Sequence, residues 1–77
     1  MKNDSEHNSL LADRVIADQD LKIDIADNME RYGGSFVKAL SKCIILADRQ
    51  NLRKLVYNFA GYVREYLPEK WNKNEKT

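Results

Sequence analysis

A pair of glycines interrupts a helical pattern near the middle of this chain, and it limits the fold more than any other feature. Before the pair, apolar residues recur at helical spacing, at Leu21, Ile25, Met29 and Tyr32. After it, residues 36–47 are apolar around about half of a helical wheel. Since the connection is so short, we expect the two helices to be antiparallel neighbours, and the equally short connection around residue 48 favours the same for the helices that it joins.

The residues of this turn and of the next one have predictable roles. Gly33 follows the last apolar position of its helix, so we expect it to end the helix in the left-handed conformation that glycine adopts without steric penalty. Ser35 is a good N-cap for the following helix, and Asp48 is a good N-cap for the one after that. Gly34 is not strictly required by either role.

The rest of the chain completes a small all-α pattern. Residues 49–67 carry the longest apolar stripe, which Pro68 ends because it pushes the preceding residue out of helical geometry. A shorter pattern follows Ser9 and predicts a weak N-terminal helix or arm. We therefore predict a bundle of about three helices within a single domain, residues 10–71, between a flexible leader and a flexible tail: helices at roughly 20–32, 36–47 and 49–67, leader 1–9 and tail 72–77.

Size and composition exclude several classes of protein. A chain of 77 residues holds one domain and buries only roughly 60% of its unfolded surface. Its longest apolar run, residues 43–47, is far below the about 20 residues of a membrane span. The polar N-terminal stretch has no signal-peptide core, so we expect a cytoplasmic protein. Cys43 is the single cysteine and is expected to be buried, as free cysteines in apolar runs usually are.

No catalytic or ligand-binding motif is recognisable, and we expect a non-enzymatic protein without a metal, cofactor or small-molecule substrate. The glycine pair lacks the surrounding residues of a phosphate-binding loop. A calcium loop that started at Asp18 would need glycine and glutamate where Ile23 and Met29 stand. The single histidine, His7, lies in the predicted leader, far in sequence from Cys43.

Charge is spread unevenly, which raises the possibility of nucleic-acid binding. Residues 1–34 hold 4 basic and 8 acidic side chains, a balance of −4, and residues 35–77 hold 9 and 4, a balance of +5. On the last helix, three arginines and a tyrosine lie within a narrow arc of the helical wheel, a group called the basic stripe here: Arg49, Arg53, Tyr57 and Arg64. Such a stripe can bind phosphates, but the net charge of +1 favours a solvated face instead.

Protein–protein contact is the function that the sequence favours. Ile45 falls in the middle of the polar side of its helix, between Lys38, Ser41 and Lys42. We take three residues as candidate contacts with a host protein or within a homodimer: Ile45, Tyr57 and Trp71. The simpler alternative is that the three helices bury these faces in one another.

One stretch resembles a known group of proteins. The sequence RYGGSFVKAL, at residues 31–40, is followed by NLRKL and by aromatic residues up to Tyr66. It is similar to small uncharacterised proteins of bacteriophages and prophages that read Tyr-Gly-Gly-Ser-Phe-Val and then Ala-Asp-Pro. Here Arg49 stands in place of that proline, and FAGY replaces a Phe-Pro pattern. The resemblance implies an origin in a phage or mobile element, and it implies no activity.

Overall fold

The computed structural model describes residues 4–69, and this part of the chain is all-helical. No strand occurs within these residues. Within residues 4–69, five helices follow one another through connections of one or two residues: α1 (Asp4–Ala17), α2 (Gln19–Tyr32), α3 (Ser35–Leu46), α4 (Arg49–Asn58) and α5 (Ala60–Glu65). The all-α prediction is confirmed, and the helix count exceeds the predicted three. None of the described helices is long and apolar enough to cross a bilayer.

The first helix is the largest departure from the predicted architecture. α1 is a regular helix of 14 residues, and residues 4–9, which were assigned to a flexible leader, belong to it. Its core contribution is narrow, since Leu11, Ala12 and Val15 are the residues it buries. Because short helices are stabilised mainly by tertiary packing, α1 depends on the helix it packs against more than on its own sequence.

Two aspartates begin helices in the way that their positions suggest. The Asp18 carboxylate accepts a hydrogen bond from the backbone N–H of Leu21 at 3.1 Å, at the start of α2. The Asp48 carboxylate accepts one from the backbone N–H of Asn51 at 2.8 Å, at the start of α4. Each satisfies a backbone donor that the first turn of a helix leaves without a partner.

The turn between α2 and α3 differs from its prediction. Gly33 is extended, with φ −90° and ψ 164°, so the expectation of a left-handed glycine was wrong. Gly33 is needed for space instead, because a Cβ there would press on the Val37 side chain and lie 2.7 Å from the Met29 carbonyl oxygen. Ser35 is the first residue of α3 rather than its cap; the cap position is Gly34, which offers no side chain to the helix.

The helices form two pairs that share one core. α2 and α3 are antiparallel, since Glu30 near the end of α2 meets Lys38 and Ser41 in the first half of α3. α1 packs along α4, although these helices are far apart in sequence. The shared core contains Leu11, Ala12, Val15, Leu21, Ile25, Ala26, Met29, Val37, Leu40, Ile44, Leu52, Val56, Ala60, Val63 and Leu67.

The predicted helix at residues 49–67 is broken at Phe59. Its backbone leaves helical geometry, with φ −115° and ψ 33°, and separates α4 from α5. Two asparagines anchor the segment around and after the break: the Asn8 amide donates to the Tyr57 carbonyl at 3.4 Å, and the Asn28 amide donates to the Tyr66 carbonyl at 3.0 Å. These two hydrogen bonds attach the chain before the break to α1 and the chain after α5 to α2.

Replacement of Gly33 by alanine should destabilise the fold for a steric reason. The added Cβ would lie 2.6 Å from the Val37 Cβ as well as close to the Met29 carbonyl, so backbone as well as side chain must move. Overpacking of this kind costs about 1–3 kcal/mol. Urea unfolding followed by circular dichroism should show this loss as a lower midpoint with an unchanged slope.

Gly61→Ala is the matched control for this prediction. A Cβ at Gly61 would meet nothing within 4 Å, and the residue lies in α5. Alanine should therefore raise the free energy of unfolding there by about 0.5–1 kcal/mol, through its better helix propensity. Equal effects of the two substitutions would contradict the steric role assigned to Gly33.

Candidate functional site

Helix α3 buries much less of its apolar surface than the sequence suggests. Its core strip is narrow and consists of Val37, Leu40, Ser41 and Ile44. Ser41, predicted on the polar side, is buried and donates its hydroxyl to the Lys38 carbonyl at 2.9 Å. Cys43, predicted to be buried, is exposed. The apolar residues outside the strip are therefore available on both sides of the helix.

One of these sides forms a cleft with α4, called the aromatic cleft here. Leu46 at its α3 edge is 83% exposed. The expectation that α3 and α4 are antiparallel neighbours was wrong: they follow one another in sequence but are not packed along each other, because α4 packs on α1. The cleft is lined by two residues of α3 and the residue that follows it, by Leu55 and Phe59 opposite them, and by three polar side chains: Cys43, Leu46, Ala47, Leu55, Phe59, Asn51, Lys54 and Asn58.

An aromatic cluster adjoins this cleft and shares Phe59 with it. The ring centroids of Phe36 and Phe59 are 5.9 Å apart, and those of Phe36 and Tyr62 are 5.4 Å apart. The rings are tilted against one another, which is a favourable arrangement for aromatic pairs. Phe36 is nevertheless 53% exposed and Tyr62 is 41% exposed, so the cluster presents a large apolar surface to solvent.

The other side of α3 forms a second cleft with α2, called the α2–α3 face here. Ile45 and Ile23 lie on it and are exposed by 47% and 46%. The sequence prediction that Ile45 is exposed is confirmed. The face also includes Leu46, which borders both clefts, together with Ala26, Asp27, Glu30, Ser41 and Lys42.

The basic stripe lies beside α1, and its three arginines remain exposed to solvent. Arg53 forms an ion pair with Asp13 of α1 at 2.7 Å. Arg64 donates to the Asn8 side-chain oxygen at 2.9 Å, and Tyr57 is half-buried in the same region, where its carbonyl accepts from Asn8. Arg49 borders a shallow depression with Ile16, Gln50 and Arg53. At least two of the stripe's arginines therefore help to hold α1 in place.

The predicted contact residues do not form a single surface. Ile45 lies on the α2–α3 face, whereas Tyr57 lies beside α1. Trp71 falls outside the described residues. The residues that sequence reasoning missed are Phe36, Phe59 and Tyr62, which were assigned to apolar helix stripes. Their aromatic character was a visible signal, but their clustering depends on the break at Phe59, which the sequence pattern conceals.

Residues 4–69 do not form a metal site. No group of three or more metal-ligating side chains lies close enough together there to hold an ion. No protein-family model, curated protein sequence or solved structure matches this chain.

The Arg53–Asp13 pair should couple weakly but measurably. Both side chains are about half exposed, at 51% and 55%, so water screens their attraction. A double-mutant cycle with Arg53→Gln and Asp13→Asn should give about 0.2–1 kcal/mol of coupling, decreasing with salt. Zero coupling at low salt would mean that this ion pair does not hold α1 on α4.

Cys43 should react with thiol reagents in the folded protein. Because its side chain is exposed, the rate of maleimide coupling to the native chain should be within about tenfold of the rate in urea. The single cysteine makes the measurement unambiguous. Labelling that occurs only after unfolding would contradict the open cleft between α3 and α4.

Proposed function

We propose that this chain is a non-enzymatic binding protein of phage or mobile-element type that acts in the cytoplasm through protein–protein contacts. The observation that carries the proposal is the aromatic cleft, where α3 and α4 leave apolar and aromatic side chains uncovered. Large exposed apolar patches with a polar rim are typical of interaction sites. The phage origin is supported by the Tyr-Gly-Gly-Ser-Phe-Val resemblance alone.

The cluster beside the cleft supplies the type of residue that dominates binding energy. Phe36, Phe59 and Tyr62 hold one another in place through ring contacts of 5.4–6.3 Å. Aromatic side chains are enriched at interfaces, and they bind best where neighbouring residues fix them. A partner side chain inserted between α3 and α4 would contact Phe59 and Leu55 while it covers Phe36.

The charge of the cleft indicates what kind of segment fits it. Among the described residues, the polar side chains that line the cleft are Lys54 and the amides of Asn51 and Asn58. No carboxylate of the described residues lines it. The cleft lies between two helices, which is the setting in which amphipathic helices dock. The partner is therefore an amphipathic helix with apolar anchors towards the cleft and acidic side chains towards Lys54.

Peptide selection against the full chain tests this proposal. Helical peptides selected from a random display library should carry apolar anchors flanked by Asp or Glu. Their affinity should fall about tenfold or more for the Phe36→Ser/Tyr62→Ser variant, because the exposed anchors are lost. The bound peptide should also slow maleimide coupling to Cys43, which lines the cleft.

Leu10→Ser is the matched control, since Leu10 is 57% exposed on α1 and lines neither cleft. Its affinity for the peptides should equal that of the unchanged chain. Peptides that bind the Phe36→Ser/Tyr62→Ser variant equally well would contradict the proposal.

The alternative function, nucleic-acid binding through Arg49, Arg53, Tyr57 and Arg64, predicts a different result. A salt-dependent DNA or RNA shift that is lost in Arg49→Ala/Arg53→Ala would favour it.

A further inference from the structure

We propose that the α2–α3 face is the contact between two copies of this chain, related by a two-fold axis parallel to α2 and α3. This inference goes beyond the proposed function, because it concerns the opposite side of α3 and a different partner. The result would be a four-helix arrangement in which each copy contributes its antiparallel α2–α3 pair.

The centre of the face is apolar and uncovered. Ile23 from α2 and Ile45 from α3 are each about half exposed, and Leu46 beside them is 83% exposed. These three large aliphatic side chains give a helix-on-helix contact an apolar centre, because removing their exposed surface from water is favourable. They are too few for a large permanent interface, so we expect a reversible dimer.

The two edges of the face carry opposite charges. α3 has Lys38 and Lys42 as its charged residues. α2 has two basic residues, Lys22 and Arg31, and four acidic residues: Asp20, Asp24, Asp27 and Glu30. Of these acidic residues, Asp27 and Glu30 line the face, and Lys42 lines it from α3. A surface with an acidic edge, an apolar centre and a basic edge is complementary to a rotated copy of itself.

This charge pattern selects one of the two possible symmetry axes. An axis across the helices would place α2 on α2 and bring acidic edges together, which is unfavourable. An axis parallel to the helices places the α3 of one copy over the α2 of its partner and keeps each residue at its own height. Lys42 then faces the partner's Asp27. Isologous contacts of this kind are the commonest way in which identical chains associate.

The acidic residues have partners within their own chain that a dimer would not need to break. Asp27 pairs with Arg31 at 3.1 Å on the surface of α2, and both side chains are more than half exposed. Glu30 accepts from the Ser41 hydroxyl at 3.3 Å. Exposed pairs of this kind are weak, so Asp27 can also attract a lysine across the interface.

Sedimentation equilibrium of the full chain over a wide concentration range tests the dimer. We expect a monomer–dimer equilibrium whose dissociation constant rises about tenfold or more in Ile45→Ser/Leu46→Ser. The Leu10→Ser control removes an exposed leucine elsewhere and should leave the constant unchanged. A monomer at every concentration would overturn the inference, as would a dimer that is insensitive to Ile45→Ser/Leu46→Ser.

A charge exchange separates the contact from any effect on folding. Lys42→Glu alone and Asp27→Lys alone should each weaken self-association, because like charges then meet across the axis. An equimolar mixture of the two variants should restore dimers, since each mixed pair regains two opposite-charge contacts. Failure of the mixture to associate, with both variants folded by circular dichroism, would overturn the proposed axis.

These outcomes are distinguishable from those of the proposed function. Cys43 lines the aromatic cleft, so its maleimide coupling should not depend on dimer formation. Cysteine placed by Ile45→Cys in a Cys43→Ser background should instead become protected as protein concentration rises. Protection of Cys43 rather than of the cysteine at position 45 would show that copies meet through the aromatic cleft, and it would overturn the inference.

Discussion

The packing of α1 against α4 is the contact on which the rest of this structure depends. It converts a largely polar N-terminal stretch into a regular helix through three buried residues, Leu11, Ala12 and Val15. It also engages the basic stripe, since Arg53 and Arg64 contact Asp13 and Asn8 of α1. Above all, α4 packs on α1 instead of packing along α3 as it would in a simple antiparallel hairpin.

Because α4 packs on α1, α3 is left with one close neighbour, α2. The core strip of α3 packs against α2 and the shared core, while the two sides of α3 remain uncovered. The aromatic cleft and the α2–α3 face are consequences of this one arrangement, and Leu46 at their border is the most exposed of the large apolar residues described. A chain this small buries a limited fraction of its surface, and association with a partner is a common way to cover the remainder. The two flanks differ in chemistry: one is aromatic with a lysine at its rim, and the other is aliphatic with edges of opposite charge.

Part of the fold was predictable because it depends on local interactions. The helical periods, the aspartate at the start of α4 and the turn at the glycine pair follow from spacing and capping chemistry within a few residues. The reason for Gly33 was not predictable, since the clash that excludes a side chain involves Val37 and Met29 in their folded positions. Phe36, Phe59 and Tyr62 could be seen as apolar stripe residues, but their meeting requires the non-helical backbone at Phe59.

Local sequence patterns were enough to predict that the described part of the chain is helical, where α2 and α3 begin and end to within one residue, where α4 begins, and that Ile45 stands on the polar side of α3. Each of these depends on residues a turn or two apart, whose relation is the same in any helix. Tertiary structure alone decided that α1 is a full helix, that the basic stripe meets α1, and that Cys43 is exposed while Ser41 is buried. These outcomes depend on which helices become neighbours, and a helical wheel shows where a side chain points without showing which helix lies there.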